Sequence, residues 1–311
     1  MTNFSKITLT PVEDGPPYGD MYNTSSNDSP EVFGNIIAVL TSCICIIGLV
    51  GNGIVICLLG FYIKRSPFMT YILNLAVTDF GVLLFFALTF ISSLTHVESL
   101  LTIAVMTATF MYNTSQYLLT AISIDRCVSV LFPIWHRCHR PPNLSTIVCA
   151  LIWVLSFLTS GIIGILSYFE HIQTDWITYS PFLAGTVICL TLVSISTMIL
   201  LFKVFYKSQR RRRGRLLTIV LLTLLFFLIF AFPLNAMVTL SFFTPLEYGY
   251  LILCGFLCAC LNSCVNPLIY YVVGRKKRVP QRQSLKVILQ RAFEEKEEPR
   301  EERGTTAQTS L

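Results

Sequence analysis

Residues 216–243 read LLTIVLLTLLFFLIFAFPLNAMVTLSFF, a run from Leu216 to Phe243 that holds one proline, Pro233, and no charged side chain. About 20 residues at the helical rise cross a bilayer core about 30 Å thick, so this run is long enough to span one. Six more runs of the same kind lie to either side, near 34–63, 70–94, 101–132, 144–168, 181–206 and 249–273. Hydrocarbon does not tolerate unpaired backbone amides, and none of the runs has the alternation of a barrel strand, so each is read as an α-helix. Composition agrees: of 311 residues 54% are hydrophobic and 13% charged, and the mean hydropathy is +0.66. The expected fold is an all-α membrane protein with a seven-helix bundle over 34–273.

The charges are sorted by side. Of the 23 Lys and Arg only Lys6 falls in the N-terminal segment or in the connections near 95–100, 169–180 and 244–248. The others sit at Lys64 and Arg65, around Arg126 to Arg140, at Lys203 to Arg215, or from Arg275 onward. The positive-inside rule makes that second set cytoplasmic, with residues 1–33 outside and the C-terminus inside a multi-pass plasma-membrane protein. The basic runs are read as anchors on anionic membrane lipid, so the net charge of +6 is not taken as a sign of nucleic-acid binding. Residues 1–33 are polar and hold acceptor sequons at Asn3, Asn23 and Asn27, as in an extracellular, disordered, glycosylated tail. They lack the apolar core of a secretory signal, so the first span is expected to serve as its own insertion signal. None of the 11 Cys lies in the outer tail or outer connections, and no disulfide is expected. The Cys254 to Cys264 spacings sit in an apolar span without His, which argues against a thiolate metal site.

An ionisable group inside the bilayer is a functional candidate by default. Asp79 is the one acid well inside a span, and Asn52, Ser115, Asn262, Ser263 and Asn266 bring oxygen-bearing groups to comparable depth. The bland reading is a structural hydrogen-bond hub. The sharper one is a site for a hard monovalent cation, held by oxygen ligands. Asp125-Arg126 closes the third span, and Pro233 and Pro267 interrupt the sixth and seventh. Each proline removes a backbone donor and kinks its helix, and a kink near mid-span lets a helix end swing.

Gly51-Asn52, Leu75-Ala76 with Asp79, Asp125-Arg126-Cys127, Trp153, Pro233 and Asn266-Pro267-Leu268-Ile269-Tyr270 follow one another on successive spans. Together they resemble the rhodopsin-like G-protein-coupled receptors. Tyr117 to Ser123, Pro133 to Pro141 and Ser284 to Phe293 are similar to the Mas and Mas-related subfamily, and the resemblance runs from about Gly51 to Glu295. It implies a receptor whose sixth helix moves outward at its cytoplasmic end to admit a heterotrimeric G protein. Arg126, released from Asp125, would contact that partner along with Pro133, and Tyr270 would swing inward beside Asn266. Asp79 with Ser115, Asn262, Ser263 and Asn266 would hold an allosteric sodium ion; no other cofactor is implied. The chain departs from the wider pattern in three places: no cysteines tie the third helix to the second outer loop, Ala231 stands where many relatives carry Trp, and Arg213 stands where some place an acid. The last departure predicts a weakly restrained Arg126.

The outer connections carry Glu98, Glu170, Asp175 and Glu247 without a Lys or Arg, either an acidic rim suited to a basic peptide or cationic amphiphile or equally an ordinary solvated rim. Tyr112, Trp176, Tyr179 and Phe243 are candidates to line the vestibule, or equally aromatic-belt anchors. A non-peptide ligand, or constitutive activity without one, remains the alternative within the receptor class. A transporter or channel is the alternative outside it, disfavoured by the lack of internal repeats and the single buried acid. No nucleophile with a base emerges, so no enzyme is expected. Leu285, Ile288, Leu289, Ala292 and Phe293 recur at helical spacing and predict an amphipathic helix on the inner leaflet within 274–294. Residues 295–311 read as a disordered cytoplasmic tail with Thr305, Thr306, Thr309 and Ser310 as phosphosites for arrestin and a C-terminal end suited to a PDZ protein.

Overall fold

The structure, a computed structural model, describes residues 28–63, 66–95, 97–161, 175–206, 215–243, 249–275 and 284–293. Among them the long helices are α1 (Asp28–Cys57), α2 (Pro67–Thr95), α3 (Glu98–Leu131), α5 (Leu144–Ser156), α6 (Asp175–Tyr206), α7 (Arg215–Phe243) and α8 (Gly249–Gly274). Two short helices, α4 (Pro133–Cys138) and α9 (Leu285–Phe293), lie beyond the ends of α3 and α8. The last turns of α1 and α5 widen into π-helix, over Leu58–Tyr62 and Phe157–Gly161. The chain is thus a bundle of membrane helices with an added short terminal helix.

α1 starts at Asp28, inside the stretch 1–33 expected as tail. Pro30 is tolerated in a first helical turn, where its missing N–H has no helical partner to lose. Six of the long helices carry a stretch apolar enough to cross a membrane; α3 does not. At 34 residues α3 has ample length, about 50 Å at the helical rise. Its polar groups Asn113, Thr114, Ser115, Gln116, Thr120 and Ser123 are all buried against neighbouring helices. A helix that packs on α2, α5, α6 and α7 exposes little surface to lipid, so it is the seventh span without being an apolar one.

The main apolar core lies toward the end that carries Arg126. It joins Val55 and Leu59 of α1, Phe68 and Ile72 of α2, Leu119 and Ile122 of α3, Ile219 and Phe227 of α7, and Tyr270 of α8. Outward-facing Ile46, Leu151, Met198, Ile229 and Leu268 form the surface left to lipid. The helix expected within 274–294 is present as α9, but its apolar face meets protein. Ile288, Leu289, Ala292 and Phe293 are buried, and the last three belong to the main core. Periodicity marks a face that needs covering, and here the bundle end supplies the cover.

Candidate functional site

Pro267 has no N–H, so the carbonyl of Ser263, one turn earlier in α8, loses its helical donor. Asn52 of α1 supplies another: its Nδ2 donates to the Ser263 carbonyl at 3.0 Å and to that of Gly48 at 3.1 Å. Gly51 permits the approach, since a Cβ there would stand 3.2 Å from Pro267. Gly51-Asn52 and Asn266-Pro267 are therefore two halves of one joint. Beside the proline, Asn266 donates through Nδ2 to Asp79 Oδ2 at 2.7 Å, and Ser115 Oγ of α3 donates to Oδ1 at 3.0 Å. Ser263 lies against the same carboxylate. Asn262 is buried on the same helix and makes no hydrogen bond to it among the described residues.

Asp79 is wholly buried and surrounded by neutral donors, so among the described residues no side-chain cation balances its charge. Asp79, Ser115 and Ser263 present hard oxygens of the kind a monovalent cation takes, and the Asn52 Oδ1 is buried without a hydrogen-bond partner. The residues fit a sodium ion in donor type. One turn deeper on α2, Trp153 Nε1 of α5 donates to Asn74 Oδ1 at 3.0 Å, which ties the short fourth span to α2.

The second carboxylate lies ten residues along α3 from Ser115, about 15 Å at the helical rise. Arg126 folds back on its neighbour and donates to Asp125 Oδ2 through Nη2 at 2.7 Å and Nε at 3.2 Å. Pro133 opens α4 at its first position, where a proline fits without loss, and the chain then returns along α4. That return brings Arg140 Nη2 to Asp125 Oδ1 at 2.7 Å and to Ser145 Oγ at 2.7 Å. Tyr71 lies beside the group and His136 Nε2 is 3.8 Å from the carboxylate. Asp125 is thus held by two guanidinium groups, all three side chains being at most 9% exposed. Arg126 also lies over the ring of Phe68, 4.4 Å from its centroid. The expectation of a weakly restrained Arg126 rested on Arg213, which is outside the described residues; the restraint present is local, from Asp125.

Tyr270 is buried at the end of α8, and its hydroxyl has no hydrogen-bond partner among the described residues. Such an orphaned group costs about 1–3 kcal/mol, a reservoir that a change of packing can release. Residues 51–270, the span that contains both carboxylates and both prolines, match the 7 transmembrane receptor (rhodopsin family). Proto-oncogene Mas of Rattus norvegicus is 36% identical over 278 residues, 85% of this chain and 86% of that protein. Mas-related G-protein coupled receptor member X1 of Homo sapiens is 36% identical over 274 residues, 84% of each chain. Member H of Rattus norvegicus is 38% identical over 268 residues, 81% of this chain and 82% of that one. The chain belongs to the rhodopsin family of seven-transmembrane receptors, in its Mas-related branch.

As a Mas-related receptor it is a multi-pass protein of the cell surface whose partners are an extracellular ligand and a G protein, and it is not an enzyme. The site residues expected from sequence fall into three groups in this receptor. Asp79, Ser115, Ser263 and Asn266 come together, as do Asp125 and Arg126, while Pro133 opens α4 and Pro233 and Pro267 each lie inside a helix. Tyr112, expected at the vestibule, packs inside the bundle with Val82, Leu234 and Ala259, close to Gln116 and Asn235. Glu98, Asp175, Trp176, Tyr179 and Phe243 sit on described helices, but their side chains lie outside the described residues, as do Glu170 and the sequons at Asn3, Asn23 and Asn27. All 11 cysteines are free thiols, and buried Cys45 and Cys260 approach to 3.6 Å. Arg140, Phe68 and Phe293 were not among the expected site residues. Arg140 follows a loop and carries no periodic signal, while Phe293 was legible only as part of an amphipathic stripe.

Proposed function

We propose that this Mas-related receptor binds a basic peptide or a cationic amphiphile at its extracellular face and activates heterotrimeric G proteins through the Arg126 end of the bundle. The basic loops lie in the cytosol in this reading, with the N-terminus outside. The observation that carries it is the pair of buried carboxylate clusters on α2 and α3, one beside Pro267 of α8 and one clamping Arg126. An agonist that repacks the outer half shifts the population toward an arrangement in which Arg126 leaves Asp125 and the inner end of α7 opens. Exposed Phe132, Ile134 and Trp135 beside the clamp offer apolar contact for the incoming partner. The ligand class follows from the acidic residues Glu98, Glu170, Asp175 and Glu247 and the absence of basic residues in the same connections. Sodium at Asp79 with Ser115, Ser263 and Asn266 would favour the inactive packing. The tail beyond residue 295 would recruit arrestin once phosphorylated and a PDZ domain through its terminal residues.

The deciding experiment is a second-messenger screen, reading calcium and cAMP in parallel, in cells expressing the receptor and exposed to basic peptides and cationic amphiphiles. A saturable response, absent in mock-transfected cells and weakened when Glu170 and Asp175 are both changed to Lys, is the expected result. Responses confined to anionic or neutral ligands would overturn the ligand class. Silence of the Gα-dependent pathways under every ligand would overturn the coupling.

A further inference from the structure

A short helix with apolar residues at 288, 289, 292 and 293 gains by burying that face in either lipid or protein. In α9 it is buried on protein, with Ile288 at 3%, Leu289 at 5%, Ala292 at 0% and Phe293 at 3% exposure, while Leu285 and Val287 stay open. The helix also has a direction. Its first residues, Ser284, Leu285 and Lys286, line a groove of about 460 Å³ together with Cys57 and Leu58 at the end of α1. Its last, Phe293, stands 5.2 Å from the ring of Tyr270 and 6.1 Å from that of Phe68. α9 touches α7 as well as α8, so it runs inward across the end of the bundle instead of outward along the membrane. Gly274 makes the crossing close: a Cβ there would collide with the Ile288 carbonyl.

Phe68 lies between α9 and the switch. Arg126 rests on one side of its ring and Phe293 packs against it, while Phe293 also covers Tyr270, the other residue expected to move. We propose that α9 is an autoinhibitory plug, docked over Phe68, Arg126 and Tyr270, that a G protein must displace before it can reach Arg126. The proposal rests on the coupling reading above and adds its regulation. The plug is poised to exchange because its apolar stripe is satisfied nearly as well by the inner leaflet as by the bundle, which keeps the two arrangements close in energy. The basic residues Lys276, Lys277, Arg278 and Arg282 before it would draw the undocked segment to anionic lipid.

The test uses the full-length receptor in phosphatidylcholine–phosphatidylserine vesicles, without ligand, with purified heterotrimeric G proteins. Phe293→p-benzoylphenylalanine reports docking, and under light it should form an intramolecular adduct near Phe68 or Tyr270. Gly274→Leu, which pushes Ile288 away from outside the plug, and Phe293→Ala, which removes the wedge, should each raise ligand-independent nucleotide exchange about fivefold. Val287→Ala, on the open face, should leave it unchanged. Absence of the adduct overturns the docking. An adduct that Gly274→Leu abolishes, with exchange no faster than wild type, overturns the inhibition. If the adduct forms but no G protein exchanges nucleotide on wild type or any variant, the coupling reading itself falls, and the plug's role with it.

Discussion

Asp79 and Asp125 are both carboxylates removed from water, yet their surroundings are opposite. Asp79 accepts hydrogen bonds from Ser115 and Asn266, neutral groups that ease its desolvation and leave its charge unbalanced. Asp125 sits between Arg126 and Arg140 and is overbalanced. A carboxylate with only neutral partners is a place for a mobile cation, whereas one gripped by two guanidiniums is a lock that opens when a grip is released. The difference separates two residues that look alike in composition: one accepts neutral hydrogen bonds beside Pro267 of α8, and the other is clamped by guanidinium groups beside the start of α4.

The largest effect should come from breaking the lock. Asp125→Ala leaves Arg126 and Arg140 buried without their counter-charge, so it should lower stability by about 3–5 kcal/mol, read as thermal unfolding in detergent, and raise ligand-independent nucleotide exchange. Stability within about 0.5 kcal/mol of wild type would mean that the clamp is only an exposed surface pair.

Next is the joint beside Asp79. Asn52→Leu deprives the Ser263 carbonyl of the donor that replaces the one Pro267 lacks, a loss of about 1–3 kcal/mol in the same assay. The double variant with Pro267→Ala, which restores the helical donor, should recover most of it, and strict additivity of the two changes would refute the joint.

The cation role separates the carboxylates directly. Exchange of potassium for sodium should raise the wild-type unfolding midpoint, by about 1.4 kcal/mol of stability when sodium stands at ten times its dissociation constant. Asp79→Asn should abolish the difference. Equal midpoints in the two salts would leave Asp79 as a hydrogen-bond hub.

Smallest is the outlying tie on α2. Trp153→Phe removes the indole donor to Asn74 while keeping most of the apolar area, so it should cost about 0.5–1.5 kcal/mol and leave the sodium response unchanged. A changed sodium response would show that α5 belongs to the cation site.

Much of the Asp79 side was legible from residue types, because an acid and several amides in apolar runs stand out wherever they fall. What they bond to was not: Asn262 was grouped with the carboxylate and does not bond it, while Asn52 serves the Ser263 carbonyl instead. On the Asp125 side the adjacent Arg126 was legible, but Arg140 was hidden, because only the return of the chain through α4 brings it back to α3. Residue type alone leaves Tyr112 either at a vestibule or in an aromatic belt, and its contacts with Val82 of α2, Leu234 of α7 and Ala259 of α8 come only from the packing.

The amino-acid sequence by itself determined the spanning helices and the backbone donors missing at Pro233 and Pro267, because hydrocarbon penalises unpaired backbone and charge whatever the neighbours are, and a missing proline N–H is a local fact. It also determined that residues 285–293 carry one apolar face. Only the tertiary structure decided that Arg140 joins Arg126 on Asp125 while Asp79 meets neutral donors, how α3 spans as the least apolar of the long helices, and that α9 turns its face to Phe68 and Tyr270. Those outcomes depend on which surfaces meet, and a periodic stripe or a charged residue states a need for a partner without naming it.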